Sequence, residues 1–314
     1  MGVAVALGER GRGRTTPNPN VGCVIVKDGC VVGRGWTQPG GRPHAEAMAL
    51  SQAGASARGS TLYVTLEPCA HRSARGPACA DSIIESGVAR VVAAVRDPDP
   101  RTDGQGFARL RAAGIAVDVG VRSIEAERSM AGFLSRCRRQ RQHVSLKLAL
   151  SLDGCIALAD GSSKWITGPE ARAHGHLERA RADVILVGRG TYDADEPSLD
   201  VRLPGFEGRS PVRALLTHRD APAGWLAIAA PEAISALPGD ILLIEGGAQT
   251  ASSFLKADLV DRLLIYRAPI LVGGKPGLGD IGLTSLADAH GRWKLLDTRA
   301  LGNDRLDIYE RTRE

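Results

Sequence analysis

Aromatic side chains are scarce: four Trp, four Tyr and four Phe in 314 residues, 4%. A protein that stacks many bases needs more, which argues against a nucleic-acid partner. Long apolar runs are missing too. None reaches the length of a membrane span, and the opening MGVAVALGERGRGR is too short in apolar residues for a secretory signal. Ala6 stands where a myristoylation pattern needs Ser or Thr. A cytoplasmic location, without membrane contact, is the expectation. Neither sign of charge dominates. Forty Lys and Arg against 35 Asp and Glu give +5, which suits a phosphorylated small substrate as well as nucleic acid. The six cysteines, in a reducing compartment, fit metal binding or burial better than disulfides. No fixed-period repeat, low-complexity tract or Gly-x-Gly-x-x-Gly fingerprint occurs.

What is present has the composition of a globular protein, 43% hydrophobic and 24% charged. The length favours two domains. VGCVIVKDGCVVGRGW reads as a hairpin turning at Asp28-Gly29. A helix is expected over about 44–53, a strand at 61–66, a helix at 79–87 closed by Gly87, and a strand at 90–95. A short helix closed by Gly114 and a strand follow. SIEAERSMAGFLSRCRRQRQ (123–142) reads as the last helix of the first domain plus a connector. Its Arg136, Arg138, Arg139 and Arg141 suit a solvated helix end. A second series begins near His143: strand, helix over 168–183, strand with a Gly-x-Gly turn, then strand, glycine turn and helix in DILLIEGGAQTASSFLKA. Alternating strands and helices imply an α/β layer fold with much parallel pairing. The boundary falls between 142 and 143.

RPHAEAMAL (42–50) alone reads as an ordinary helix start. Glu46 suits the positive end of the helix dipole. TLEPCAHRSARGPACA (65–80) changes that reading. Cys69 follows a strand and Cys79 opens a helix, so His44, Cys69 and Cys79 form a tetrahedral zinc set with one position open. Zinc makes water acidic enough to attack a ring carbon near neutral pH. A carboxylate beside the metal moves the proton to the departing amine, and Glu46 is that group. His-x-Glu, Pro-Cys and Cys in this order are the zinc-deaminase signature. His71 lies between the cysteines as an alternative ligand or a substrate contact. Cys23, Cys30, Cys137 and Cys155 lack such spacing and suit burial.

TTPNPNVGCVIV, PHAEAMAL, TLEPCAH, GVARVVAAVRDPDP, KLALSLDG, WITGPEAR and VGRGTYDADEPSLDVR together resemble the bifunctional deaminase–reductases of riboflavin biosynthesis, over nearly the whole chain. The resemblance implies an N-terminal cytidine-deaminase-like α/β/α sandwich and a C-terminal dihydrofolate-reductase-like α/β domain. It implies deamination of a diaminopyrimidinone ribosylamino phosphate, then reduction of ribosyl to ribityl with NADPH. It places Asn18 and Asn20 in the pyrimidine pocket. It gives Ala149, Trp165, Thr191, Asp195 and the run Gly247, Ala248, Gln249, Thr250, Ala251, Ser252, Ser253 to NADPH. It gives Ser163, Arg179, Leu199, Arg202 and Glu245 to substrate. Arg179 and Arg202 suit a phosphate, since guanidinium makes paired charge-assisted bonds, although each also suits an ion pair. Lys147 and Asp153 flank a strand end and suit holding the ribosyl chain, supplying protons as its imine form accepts hydride, or a structural role. Two departures stand out: the Cys69–Cys79 spacer is one residue longer than the common pattern, with Gly76 displaced, and 203–240 is shortened.

One rival reading is a zinc deaminase of RNA bases; the appended second domain and few aromatics disfavour it. Another keeps the deaminase and uses the C-terminal half only for nucleotide binding or dimerisation, which the intact WITG, DADEP and EGG motifs disfavour. A homo-oligomer paired through the reductase half is expected.

Overall fold

The structure is a computed structural model, and it describes residues 1–71 and 76–313. Most of the lengthened Cys69–Cys79 spacer, residues 72–75, lies outside the described residues. The chain divides into two compact units, Met1–Gln140 and Arg141–Glu314.

The first unit runs α1 (Gly2–Gly8), β1 (Gly22–Lys27), β2 (Cys30–Trp36), α2 (Ala45–Ala53), β3 (Thr61–Leu66), α3 (Cys79–Ser86), β4 (Arg90–Val95), α4 (Gln105–Ala112), β5 (Ala116–Val119), α5 (Ser123–Ser129) and α6 (Ala131–Arg139). Its described strands form one sheet in the order β2-β1-β3-β4-β5. β1 pairs antiparallel with β2 and β3, while β3, β4 and β5 run parallel. β3 is central, and none of TLYVTL is exposed, with Val64, Thr65 and Leu66 buried in succession. Leu62, Val64, Val91, Ala93, Ile83 and Leu110 fill the core between sheet and helices.

α2 lies unusually close to β2. A Cβ on Gly33 would come 2.2 Å from the Ala49 carbonyl oxygen, and one on Gly35 2.1 Å from that of Ala45. Only glycine permits this approach, and it fixes the height of the α2 start over the sheet. α3 ends on Gly87 in the left-handed conformation, as its sequence signals.

One expectation needs correction. The segment 123–142 is not one helix: Met130, fully buried, takes a non-helical conformation between α5 and α6. Burying Met130 and Phe133 against the same core turns the chain there.

The second unit runs β6 (His143–Leu150), β7 (Cys155–Ala157), α7 (Pro169–Ala180), β8 (Val184–Gly188), α8 (Arg189–Asp195), β9 (Val212–Leu216), β10 (Leu226–Ile228), β11 (Ile241–Ile244), α9 (Ala248–Lys256), β12 (Arg262–Arg267), β13 (Lys275–Pro276), β14 (Trp293–Leu301) and β15 (Asp304–Arg311). Its main sheet has the order β10-β9-β8-β11-β6-β12-β15-β14, and β13 pairs with β7. From β10 to β12 all neighbours are parallel; β15 and β14 close the far side antiparallel. The shortened 203–240 region still supplies two sheet strands, β9 and β10. The expected Gly-x-Gly turn at 188–190 is the start of α8.

Arg141 corrects a second expectation. Its guanidinium makes paired bonds of 2.7 and 2.8 Å to Asp261 and is largely buried, so it anchors the second unit rather than solvating a helix end. Arg138 does pair at the surface, with Glu127 at 2.8 Å.

Candidate active sites

In the first unit the α2 start, the end of β3 and the α3 start meet. His44 is the N-cap residue of α2, and Cys79 is the first residue of α3. Nδ1 of His44 lies 3.3 Å from Cys79 Sγ and 3.7 Å from Cys69 Sγ. The three ligand atoms fall within 4.8 Å of one another, the one such group of metal-binding side chains among the described residues. His71 stands outside it, with a buried Nδ1 that has no partner among the described residues.

The two sulfurs are coupled through a hydrogen bond. The Cys79 thiol hydrogen-bonds Cys69 and pulls its pKa down; that same bond, with burial, pushes Cys79 up. The backbone N–H of Cys79 also donates to Cys69 Sγ at 3.3 Å. A divalent cation replaces such a proton, because its ligands bind as thiolates. One imidazole nitrogen and two sulfurs at this spacing fit zinc with one position free.

Glu46, 4% exposed, sits in the first turn of α2 beside these groups. Burial raises its carboxyl above the ordinary range, and the Cys69 charge adds to this; His44 and the Cys79 thiol oppose it. A carboxylate so placed is poised to take and return a proton. Asn18 backs the site, its Nδ2 donating to the Gly41 carbonyl at 3.0 Å and lying 3.1 Å from His44 Nε2. Asn20 does not join it. Its buried amide donates to the Gly8 and Ser129 carbonyls and to the Ser129 hydroxyl, bracing α1 against α5.

Glu67 escaped the sequence reading. It is buried, and its carboxylate accepts from the backbone N–H groups of Asp97, Gly104 and Phe107 at 3.3, 3.0 and 3.1 Å. It thereby ties the 97–107 segment and the α4 start to the strand end that presents Cys69. The available signal was a charged residue wedged between an apolar strand and Pro-Cys. Asp97, also buried, has its carboxyl raised to about 7 by burial, with Asp99, Glu67 and Cys69 adding to the effect.

In the second unit a cleft of about 1820 Å³ opens along the carboxyl ends of the parallel strands. Lys147 and Ala149 of β6, Ser163 and Trp165, and Arg179 of α7 line one part. Thr191 and Asp195 of α8, Leu199 and Arg202 line another. Glu245, Gly247, Ala248, Gln249, Thr250 and Ser253 complete it. Three expected residues do not reach it. Ala251 and Ser252 face inward from α9, and the Ser252 hydroxyl accepts from Gly279 N at 2.8 Å. Asp153 holds the neighbouring loop, accepting from the Ser151 hydroxyl and from the N–H groups of Val272 and Gly273, which keep its carboxylate well below the usual range. These contacts fit the structural one of its two expected roles.

Glu245 is the electrostatic centre of the cleft. Burial pushes its carboxyl up, but the Lys147 ammonium and Arg179 guanidinium outweigh this and hold it at about 2. Arg179 grips it at 2.7 and 2.9 Å, and Lys147 lies 3.5 Å away. Arg179 is thus engaged in an ion pair, while Arg202 is exposed and only loosely paired with Asp200 at 3.4 Å. The α9 start has no side-chain cap. The Gly247 N–H goes to Thr191 Oγ1 at 3.1 Å, leaving the next amides of the first turn as donors to an anion. Gly190 has nothing within 4 Å of a Cβ position, and Gly247 only Thr191 Oγ1 at 3.5 Å, so backbone meets ligand space directly at both. Tyr266 also lines the cleft, its hydroxyl 2.7 Å from His174 Nδ1; nothing in the sequence pattern marked it.

Fold and sites together define a two-unit enzyme: a zinc deaminase followed by a reductase. The family described as "Cytidine and deoxycytidylate deaminase zinc-binding region" matches residues 1–95, and that described as "RibD C-terminal domain" matches 142–306. The chain is 40% identical to riboflavin biosynthesis protein RibD of Haemophilus influenzae, covering 96% of this chain and 94% of that one. It is 40% identical to the Escherichia coli RibD, covering 97% and 96%. Among solved structures, Acinetobacter baumannii RibD superposes with a TM-score of 0.89 at 35% identity, over 100% and 98% of the two chains. A Thermotoga maritima diaminohydroxyphosphoribosylaminopyrimidine deaminase/5-amino-6-(5-phosphoribosylamino)uracil reductase gives 0.89 at 33% identity, over 99% and 97%. The chain belongs to the RibD family, the bifunctional deaminase–reductases of riboflavin biosynthesis. Among the described residues no helix is long and apolar enough to cross a membrane.

Proposed function

We propose that residues 1–142 deaminate 2,5-diamino-6-ribosylamino-4(3H)-pyrimidinone 5′-phosphate, and that residues 143–314 then reduce the ribosyl chain with NADPH. The observation that carries this is the grouping of His44, Cys69 and Cys79 beside a buried Glu46, on a chain that also holds the Lys147–Glu245–Arg179 cleft.

In the first step His44, Cys69 and Cys79 hold the metal. Zinc, when bound, supplies a Lewis acid that makes water a competent nucleophile near neutral pH. Glu46 accepts the proton of the attacking water and returns it to the departing amine. Its burial beside sulfur leaves it little affinity for the charged state alone, which suits a group that must hold a proton in mid-reaction. Glu67 keeps the Cys69 strand end and the 97–107 segment in register while this happens.

In the second step the cofactor supplies a hydride, and the protein supplies position and charge. The uncapped α9 amides and the open glycines Gly190 and Gly247 suit the cofactor's phosphates. Glu245, kept anionic, fixes Lys147 and Arg179 at one end of the cleft. Lys147 there donates to the oxygen or nitrogen that gains a proton as the ribosyl carbon is reduced. Arg202, exposed at the cleft rim, receives the substrate phosphate.

We further infer a cytoplasmic homodimer. All six cysteines are free, and two belong to the metal group. Leu271 and Leu286 of the second unit are 78% and 79% exposed, and β14 is an edge strand of the main sheet. Such surface favours a second copy.

Mass spectrometry of the diaminopyrimidinone phosphate after incubation tests the two steps together. A gain of about one mass unit without NADPH, and about two more with it, is expected from hydrolysis and hydride transfer. Deamination alone would reduce the second unit to a binding module; no change would refute the substrate.

A further inference from the structure

Arg42 lies beside the metal group of the first unit and holds no ligand atom of it. It sits two positions before His44, in extended backbone at the end of the 39–41 turn. That turn is rigidly held: Gln38 N donates to the Pro43 carbonyl at 3.0 Å, Gly41 N to the Gln38 carbonyl at 2.9 Å, and Asn18 to the Gly41 carbonyl at 3.0 Å. Arg42 is half-buried. Among the described residues its guanidinium makes no hydrogen bond and no ion pair. Arg90 and Arg109 of the unit are matched, to Asp118 at 2.7 Å and to Asp81 at 3.2 Å; what sets Arg42 apart is its place beside the metal group.

Arg42 lines a small cavity of about 230 Å³ with His44, Cys79, Ser82 and Gly76. Two of these are members of the metal group, so the cavity opens onto the reacting centre. No carboxylate lines it among the described residues. Gly76 keeps the guanidinium's space clear: at φ 143° its conformation favours glycine, and a Cβ there would come 3.3 Å from Arg42 Nη1. The metal group does not need this charge. A divalent cation held by two thiolates and a neutral imidazole is already balanced. An unmatched, half-desolvated guanidinium on rigid backbone, facing a cavity with no anion of its own, is a receptor for one.

We propose that Arg42 receives the phosphate monoester of the deaminase substrate and so restricts the first site to phosphorylated ribosylaminopyrimidines. The assignment rests on the deaminase reading above. Glu46→Gln makes equilibrium binding measurable without turnover, so calorimetry on the full-length, zinc-loaded Glu46→Gln chain is the test. The probes are the diaminopyrimidinone ribosylamino 5′-phosphate and its dephosphorylated form. Adding Arg42→Ala is expected to weaken the phosphorylated ligand ~10–100-fold, the range of one hydrogen-bonded charge, and to leave the dephosphorylated one unchanged. Arg42→Lys should recover part of the loss, and higher salt should shrink the difference. Arg34→Ala, exposed on β2, should change neither. Inorganic phosphate should compete with the phosphorylated ligand when Arg42 is present and not when it is alanine. Equal binding of the phosphorylated ligand with and without Arg42, at full zinc content, overturns the assignment alone. Failure of both ligands to bind the Glu46→Gln parent overturns the substrate reading, and Arg42's role falls with it.

Discussion

Glu46 and the metal group act through single atoms, so single substitutions separate their roles. Glu46→Gln removes the proton carrier and keeps the shape. Deamination should fall by ~10²–10⁴-fold with zinc content unchanged, read by product formation and metal analysis. Cys69→Ser should lose zinc as well as activity, because the remaining His44–Cys79 pair is too few ligands for this metal; a full zinc complement would show a different ligand set. These four residues were legible because each type is rare in its setting and their order along the chain matches the order of the elements that carry them. Asn20, Asp153, Ala251 and Ser252 were not. Asn20, Ala251 and Ser252 stand a residue or two from a group that does face a site, and Asp153 follows the strand end that does; sequence spacing does not tell which way a side chain points once a loop has turned. Asn20 is two residues from Asn18, yet it is spent on Gly8 and Ser129. Glu67 carried only the weak signal of its place between an apolar strand and Pro-Cys: its partners are backbone amides 30 to 40 residues downstream, which leave no mark in side-chain pattern.

Elements place these atoms, and two junctions matter most. The close approach of α2 to β2 sets the positions of His44 and Glu46. Gly35→Val should push α2 off the sheet, since even a Cβ would lie 2.1 Å from the Ala45 carbonyl oxygen. A loss of ~1–3 kcal/mol in the first unit's stability is expected, with weaker zinc retention, by thermal unfolding and metal analysis. The other junction is Asp261, which joins Arg141, the Val144 N–H and the β12 start. Burial pushes its carboxyl up, but the Arg141 bond and the neighbouring charges of His143 and Arg141 win and hold it at about 2. A depressed acid stabilises the fold above its unfolded pKa, near 4, and that contribution fades as pH falls through about 2. The difference is worth about 2 kcal/mol. Asp261→Asn should therefore lower the second unit's stability at pH 7 and flatten its acid dependence between about pH 4 and 2; an unchanged slope would remove Asp261 from this role. Hairpin, glycine caps and the βα alternation were readable because turn chemistry is local. The break at Met130 was not, since an amphipathic pattern continues through it and only the shape of the shared core turns the chain there.

The whole molecule joins two catalytic units, and its behaviour tests whether they work independently. Asp195 lies in the second cleft, 3.4 Å from Lys164, beside Trp165. Asp195→Asn should loosen that wall, weaken NADPH binding severalfold and slow reduction, while deamination stays at the parent rate; Glu46→Gln should do the reverse. If both steps fell with either change, the assignment of one reaction to each unit would fail. Pairing belongs to this scale too. Leu271 and Leu286 expose apolar surface with no service to the cleft, neither being among its lining residues. A charge placed on each costs a monomer almost nothing, because both sites are already in water. In a dimer interface the same charges would be buried without partners, at several kcal/mol. Leu271→Glu with Leu286→Glu should therefore convert a dimer of about twice the chain mass to a monomer in light scattering, leaving the thermal stability of the first unit unchanged. A dimer that survives both charges would have to pair through another face.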